Sequence, residues 1–215
     1  MRYERKLVLT YPSDIDLVKA KVLLNGFVTD FPQRMVHSLY YDFNDNDKTA
    51  NLNGNSIREK SRIRWYDNSN KLRIEVKKKF GDLGTKNIKN ISIHNSIDSQ
   101  PSDFDKIDIL KNDVEISKLL FPKTVVSFNK YLRGYYYHPL LDLRVTIDTE
   151  CFFHNLRGSG ISSRLNIPIS AIVEFKYDFD NYEAEKFVFV LVADINKKFS
   201  RCSKFLFSTG DSLYV

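Results

Sequence analysis

The sequence predicts an α+β protein, mainly antiparallel sheet with a few flanking helices. Three observations lead there. Stretches rich in aromatic and β-branched residues recur along the chain, helical apolar spacing is confined to a few segments, and several strands carry charge on one face and apolar side chains on the other. The third observation is the informative one. In Ser61 to Lys79, SRIRWYDNSNKLRIEVKKK, two strands meet at Asp67-Asn68-Ser69-Asn70, residues that favour turns. Side chains two apart share a face, so Arg62 and Arg64 lie together, as do Arg73, Glu75, Lys77 and Lys79, with Leu72, Ile74 and Val76 opposite. A lone hairpin of this kind turns its charges to water. Here the pattern recurs: Glu4 with Lys6, Tyr131 with Arg133 and Tyr135, Arg144 with Thr146 and Asp148, and Glu174 with Lys176. A sheet curled with those faces inward forms a basic channel whose apolar exterior needs helices to cover it. Such a channel suits a polyanion, and its carboxylates suggest a divalent metal beside it.

Composition agrees with this. The 215 residues are most simply one domain, residues 1–215, and 42% hydrophobic residues suffice for a sizeable core. A formal charge of +6 and a pI near 9.1 favour anionic partners: nucleotide, nucleic acid, polyphosphate or membrane surface. Met1 is followed by charged RYERK with no apolar leader, and the longest apolar run, Phe187 to Ala193, is too short to span a bilayer. Cys151 and Cys202 have neither metal-ligand spacing nor the density of a disulfide scaffold. The expectation is a cytoplasmic protein with free thiols and no membrane segment of its own, a membrane partner being left open.

In chain order, a first strand spans about Arg2 to Thr10. Ser13 is placed to cap a helix running to Leu24, with Ile15, Val18 and Val22 on one face and Asn25-Gly26 ending it. Val36 to Phe43 reads as the second strand, and Asn44 to Asn55 as a turn-rich loop. After the hairpin, Gly81 to Ser92 returns as a strand, and Asn95 to Asp113 is polar and irregular with short helical stretches up to Leu120. Val125 to Tyr137 and Leu141 to Phe153 form a hairpin around His138-Pro139. Asn155 to Asn166, with Gly158-Ser159-Gly160, reads as a mobile loop. Ile169 to Tyr177 is a strand, and Asp180 or Asn181 caps a helix with Phe187, Val190, Leu191 and Ile195 as its apolar stripe. The tail carries the basic run Arg201-Cys202-Ser203-Lys204.

Few chemistries survive inspection. His37, His94, His138 and His154 stand alone, and metal sites need converging ligands. No G-x-x-x-x-G-K-[ST] loop is present. Phosphoryl transfer remains, because it needs positioning and charge neutralisation more than covalent chemistry. Arginine grips phosphate bidentately and lysine adds a point charge. Glu174, beside Lys176, is the leading metal-ligand candidate, with Glu4 and Glu75 behind it; the plain alternative is a carboxylate salt-bridged to channel lysines.

YERK, SLYYD, RIRWY, IEVKKK, YLRGYYY, LRVTIDT, VEFKY and a terminal SKF follow one another in an order that resembles the VTC domain. This is the catalytic domain of the vacuolar transporter chaperone polyphosphate polymerase, related to the CYTH-like triphosphate tunnel metalloenzymes. The resemblance implies an antiparallel β-barrel tunnel that moves the γ-phosphate of ATP onto a growing polyphosphate chain with Mn²⁺ or Mg²⁺. It implies phosphate binding by Lys6, Arg62, Arg64, Lys77, Arg133 and Arg144, with Lys86 as a further lysine and Lys176 beside the metal ligand. Ser203 and Lys204 of SKF fall near the transferring phosphate, so Lys204, Arg133 and Arg64 are the expected catalytic residues, and Glu174 the metal ligand. The segment 95–113 has no counterpart motif, and YLRG carries a glycine after its arginine.

The alternatives share the same tunnel: a triphosphatase acting on tripolyphosphate or nucleoside triphosphates, or a module that binds polyphosphate or nucleotide without turnover. Triphosphatases of this type open with an ExExK pattern, whereas Arg2 here stands where the first glutamate would be. Nucleic-acid binding is the plain explanation of the basic pI but is not expected, because the bases are read as facing inward.

Overall fold

The computed structural model describes residues 2–81, 83–92, 101–157 and 163–210. His94, the first part of the 95–113 segment and the Gly158-Ser159-Gly160 loop lie outside the described residues. The elements are β1 (Arg2–Leu9), α1 (Pro12–Leu24), β2 (Val28–Asp42), α2 (Asn46–Leu52), β3 (Ile57–Tyr66), β4 (Lys71–Phe80) and β5 (Leu83–Ser92). Then follow α3 (Asp103–Asn112), α4 (Val114–Leu120), β6 (Thr124–His138), β7 (Leu143–Asn155), β8 (Ser163–Arg164), β9 (Ala171–Asp178), α5 (Tyr182–Asp194) and α6 (Lys204–Thr209). The strands form one antiparallel sheet in the order β1-β9-β7-β6-β2-β3-β4-β5, with β8 beside β7.

The sheet's two faces have opposite chemistry. On the outer face, Leu7, Leu9, Leu143, Val145, Ile147, Val173 and Phe175 pack against Val18 and Val22 of α1 and Ala184, Val188, Leu191 and Val192 of α5. Farther round the sheet, Leu39, Ile63, Trp65, Leu72, Ile74 and Phe128 pack against Ile107 and Leu110 of α3 and Ile116 and Leu120 of α4. Because strand side chains alternate, two helical coats on one face commit every intervening residue to the other. That other face is the concave one. Lys77 of β4 donates to Glu4 of β1 at 3.1 Å, although the two strands lie near opposite ends of the strand order. The sheet is therefore curled into a tunnel. Among the described residues no ladder joins β1 to β5, so side chains and not backbone bonds bridge that seam.

Local chemistry explains where the elements differ from the expectations. Pro12 opens α1, with Tyr11 as N-cap and no side-chain cap, so Ser13 already lies within the helix; proline's fixed φ and missing N–H suit the first helical position. Gly26, at φ +87°, follows α1, and a Cβ there would come 3.1 Å from the His138 ring. Strand β2 begins eight residues before Val36, because irregular pairing between Thr29 and Arg34 accommodates Pro32. The expected loop at 44–55 contains α2. The buried Asp42 carboxylate organises its start by accepting from the backbone N–H groups of Phe43, Asp47 and Lys48. Asn181 caps α5 by accepting from Ala184 N at 3.0 Å. The buried stripe of α5 is Ala184, Val188, Leu191, Val192 and Ile195, so Val190 faces water instead of the core.

Phe175 is fully buried in the α1–α5 coat. Phe175→Ala is expected to cost about 3–5 kcal/mol, read as a lower midpoint in urea unfolding; a change below about 1 kcal/mol would mean that this coat does not hold the sheet.

Candidate functional site

Strand register lines up the inward-facing residues. Lys60, Arg62 and Arg64 of β3 lie opposite Lys77, Glu75 and Arg73 of β4. Tyr40 and Ser38 of β2 lie opposite Arg62 and Arg64. Lys6 of β1 lies opposite Glu174 of β9, and Glu174 opposite Thr146 of β7. Asp148 of β7 lies opposite Arg133 of β6. Lys204 enters from the start of α6, which packs across one end of the tunnel: Ser208 donates to Ser127 at 2.8 Å, and Phe205 stacks on Tyr40.

Three carboxylates organise these cations. Asp148 is fully buried and accepts from Arg133 Nε and Nη2 at 2.6 and 2.7 Å and from Lys204 Nζ at 2.6 Å. Both cations lie over the Tyr131 ring, whose hydroxyl accepts from Arg64 Nη2 at 3.3 Å. Glu75 accepts from Arg62 Nε at 2.7 Å and Lys86 Nζ at 2.8 Å, with Arg64 Nη1 3.8 Å away. Glu174 pairs with Lys176 at 3.2 Å. Lys6 Nζ reaches the Cys202 carbonyl at 3.3 Å, and Lys60 Nζ donates to Ser203 Oγ at 2.8 Å.

Protonation follows from this packing. Burial alone would raise the Glu75 carboxyl, but Arg62, Arg64 and Lys86 outweigh it and hold it down at about 2. Burial opposes ionisation of Glu174 as well, yet Lys6, Lys176, Lys204 and Arg133 keep it well below the usual carboxylate range. Burial also disfavours the charge on Lys204, and the Asp148 carboxylate more than restores it, raising the ammonium above its ordinary value. Among the described residues Lys60 has no carboxylate at ion-pair distance. Burial first, then Lys6, Lys77, Arg62 and Arg58, push it down to about 7.

Of the residues expected from the sequence, Lys6, Arg62, Arg64, Lys77, Lys86, Arg133, Lys176, Ser203 and Lys204 come together on the inner face. Arg144 lies at the end away from α6, exposed, opposite Lys176 in register and beside the Tyr137 ring. Lys60 joins the set unanticipated, although it stands two before Arg62 and so shares its face. Arg133 proves to be a structural group too: losing it would strip the buried Asp148 of its bidentate partner, so this arginine is not dispensable to the fold. The buried His37 lies among packing residues, stacked on Trp65 with Nε2 3.1 Å from Asp103.

Glu174 and Glu4 sit two rungs apart in the β1–β9 ladder and so share a face, close enough for their charges to oppose each other; Lys77 spans both Glu4 oxygens, Lys176 pairs with Glu174, and Arg62 and Lys86 take the two Glu75 oxygens. Among the described residues no three potential metal ligands converge. Glu4 and Glu174 are the pair that would hold a hard cation such as Mg²⁺ or Mn²⁺, which keeps its waters and takes its remaining ligands from phosphate oxygens, in exchange for their present contacts with Lys77 and Lys176.

Lys60 yields a pH prediction. Without a bound anion it loses its proton above about 7, and a polyanion alongside favours the charged form, so binding takes up a proton. Affinity for tripolyphosphate should therefore fall as pH rises from about 7 toward the ordinary lysine value of 10.5. Isothermal titration in buffers of different ionisation enthalpy should register the uptake in the wild type and lose it in Lys60→Gln. Identical uptake in both proteins would assign the titration to another group.

Comparison with known proteins agrees with the tunnel. The fold resembles a "putative adenylate cyclase" from Bacillus halodurans, with a TM-score of 0.56 at 12% identity over 96% of this chain and 95% of that one. It also resembles a conserved hypothetical protein from Pyrococcus furiosus, with a TM-score of 0.54 at 14% identity over 96% and 99% of the two chains. No curated protein matches in sequence. Among the described residues no helix is long and apolar enough to cross a membrane. The VTC domain model matches residues 1–210, nearly the whole chain, and the protein belongs to the VTC domain family.

Proposed function

We propose that the protein is an ATP-dependent polyphosphate polymerase. The observation that carries this reading is the charge of the inner face. Lys6, Lys60, Arg62, Arg64, Lys77, Lys86, Arg133, Lys176 and Lys204 face Glu4, Glu75, Glu174 and Asp148, nine basic groups to four carboxylates. A triphosphate supplies the missing negative charge, in a site whose walls raise the strength of each contact.

In this reading Arg62, Arg64, Lys77 and Lys86 hold the chain of phosphates, and Arg133 and Lys204 bear on the phosphoryl group in transfer. A terminal oxygen of the acceptor chain bonds to the γ-phosphorus of ATP as the bond from that phosphorus to the β–γ bridging oxygen breaks. ADP departs with the electron pair, and the acceptor is one phosphate longer. Charge spreads over the equatorial oxygens during transfer, where fixed cations stabilise it most. The Asp148 clamp keeps Arg133 and Lys204 in place before substrate arrives, so little reorganisation is needed. A divalent ion held by Glu174 and Glu4 would neutralise phosphate oxygens. A cytoplasmic setting accords with the two free thiols, Cys151 and Cys202. An enclosed tunnel favours free polyphosphate over nucleic acid.

Incubation with ATP and Mn²⁺ should yield a ladder of polyphosphates on a gel, with ADP in step. Lys204→Ala should lower kcat roughly 100-fold, with a smaller change in KM. Release of orthophosphate without a ladder would make the protein a tunnel triphosphatase, and binding without turnover would make it a non-catalytic module.

A further inference from the structure

The mouth of the tunnel away from α6 carries a second set of bases. Along β6 from α6 outward come Asn129, which donates to the Lys204 carbonyl, then Tyr131 beneath Lys204, then Arg133, then Tyr135. Arg34 of β2 lies opposite Arg133, and Arg73 of β4 lies opposite Arg64, so both share the inner face of the inner arginines. Tyr66 follows Arg64 by two residues and shares that face as well.

These side chains form one chain of cation–ring contacts, a column of alternating charge and ring. The Arg73 guanidinium lies 5.6 Å from the Tyr66 ring centre, Arg34 lies 4.0 Å from the same ring centre, and Arg34 is also 5.0 Å from the Tyr135 ring centre. Phe31 closes the column edge-on to Tyr135 at 6.0 Å. The arrangement decides what can bind. Tyr66 and Tyr135 both lie against Arg34, which leaves little room for an incoming base to stack there. A guanidinium donates in its plane, and among the described residues only Arg34 Nε is spent, on the Tyr135 hydroxyl at 2.9 Å. Among the described residues neither Arg34 nor Arg73 has a carboxylate at ion-pair distance, unlike Arg62 with Glu75 and Arg133 with Asp148. Rings fix the position of these two cations while their donors stay available, which is a site for an anion.

We propose that Arg34 and Arg73, held by Tyr66 and Tyr135, form an outer anion subsite that grips a polyphosphate chain beyond the three phosphates bound by the inner tunnel. The proposal rests on the polyphosphate reading above and extends it: the inner cations set whether phosphate binds, and the outer pair sets preference for chain length.

The test compares tripolyphosphate, ATP and a medium-chain polyphosphate by isothermal titration, using wild type, Arg34→Gln and Arg73→Gln, with thermal melts as a check on folding. Wild type should bind the longer chain more tightly. Each variant should lose roughly tenfold in affinity for the long chain, the worth of one charge-assisted hydrogen bond, and keep its affinity for tripolyphosphate. Arg34→Lys, which retains the charge, should recover part of the loss. Equal weakening for both ligands, no weakening for either, or a wild type indifferent to length would overturn the outer subsite while leaving the inner one standing. Loss of ATP affinity with long-chain affinity intact would make the column a nucleoside contact and likewise overturn it. A wild type that binds neither phosphate would remove the polyphosphate reading itself, and this subsite with it.

Discussion

Packing cations against one another inside a protein is unfavourable unless negative charge is built in among them, and that constraint shapes this molecule. Asp148 resolves it at the centre of the tunnel. One fully buried carboxylate holds Arg133 by two hydrogen bonds and Lys204 by a third, tying β6, β7 and the start of α6 together. Glu75 does the same for Arg62 and Lys86, and Glu174 for Lys176. The carboxylates are too few to neutralise the set. What remains is a fixed excess of positive charge, preorganised and turned inward, which is what a chain of phosphates requires.

The helical coats make that arrangement obligatory. Once α1 with α5 and α3 with α4 cover the apolar face, a one-residue slip in any strand would drive charge into the coat and apolar groups into the tunnel. The register is therefore enforced from outside, and the site inherits its geometry from the core. Lys60 shows the residual cost: burial and its basic neighbours push it down to about 7.

Much of this was legible in the sequence because the relevant signal has period two. Arg62 with Arg64, Glu75 with Lys77 and Glu174 with Lys176 announce their shared faces without any knowledge of the fold. The sequence also hints at the curl, since a charged face that is mostly basic recurs on strand after strand. Pairings across strands were not legible. Nothing local distinguishes Asp148, a counter-ion to two cations, from Glu174, and Arg34 sits in a stretch where Pro32 masks the strand. Asp42 looked like the end of a strand before a loop, because its part in starting α2 depends on backbone N–H groups that only the folded chain presents to it. Val190 faces water although it belongs to the apolar stripe of α5 in the sequence, because such a stripe tolerates rotation until a partner surface fixes it.

The central claim is that the inner bases form one binding site for a chain of phosphates. A crystal of the protein grown with tripolyphosphate and Mn²⁺ tests it directly. Density for the three phosphates should lie inside the tunnel, within hydrogen-bonding distance of Arg62, Arg64, Arg133 and Lys204. Phosphate bound only on the outer surface, with the tunnel empty at saturating ligand, would contradict the account.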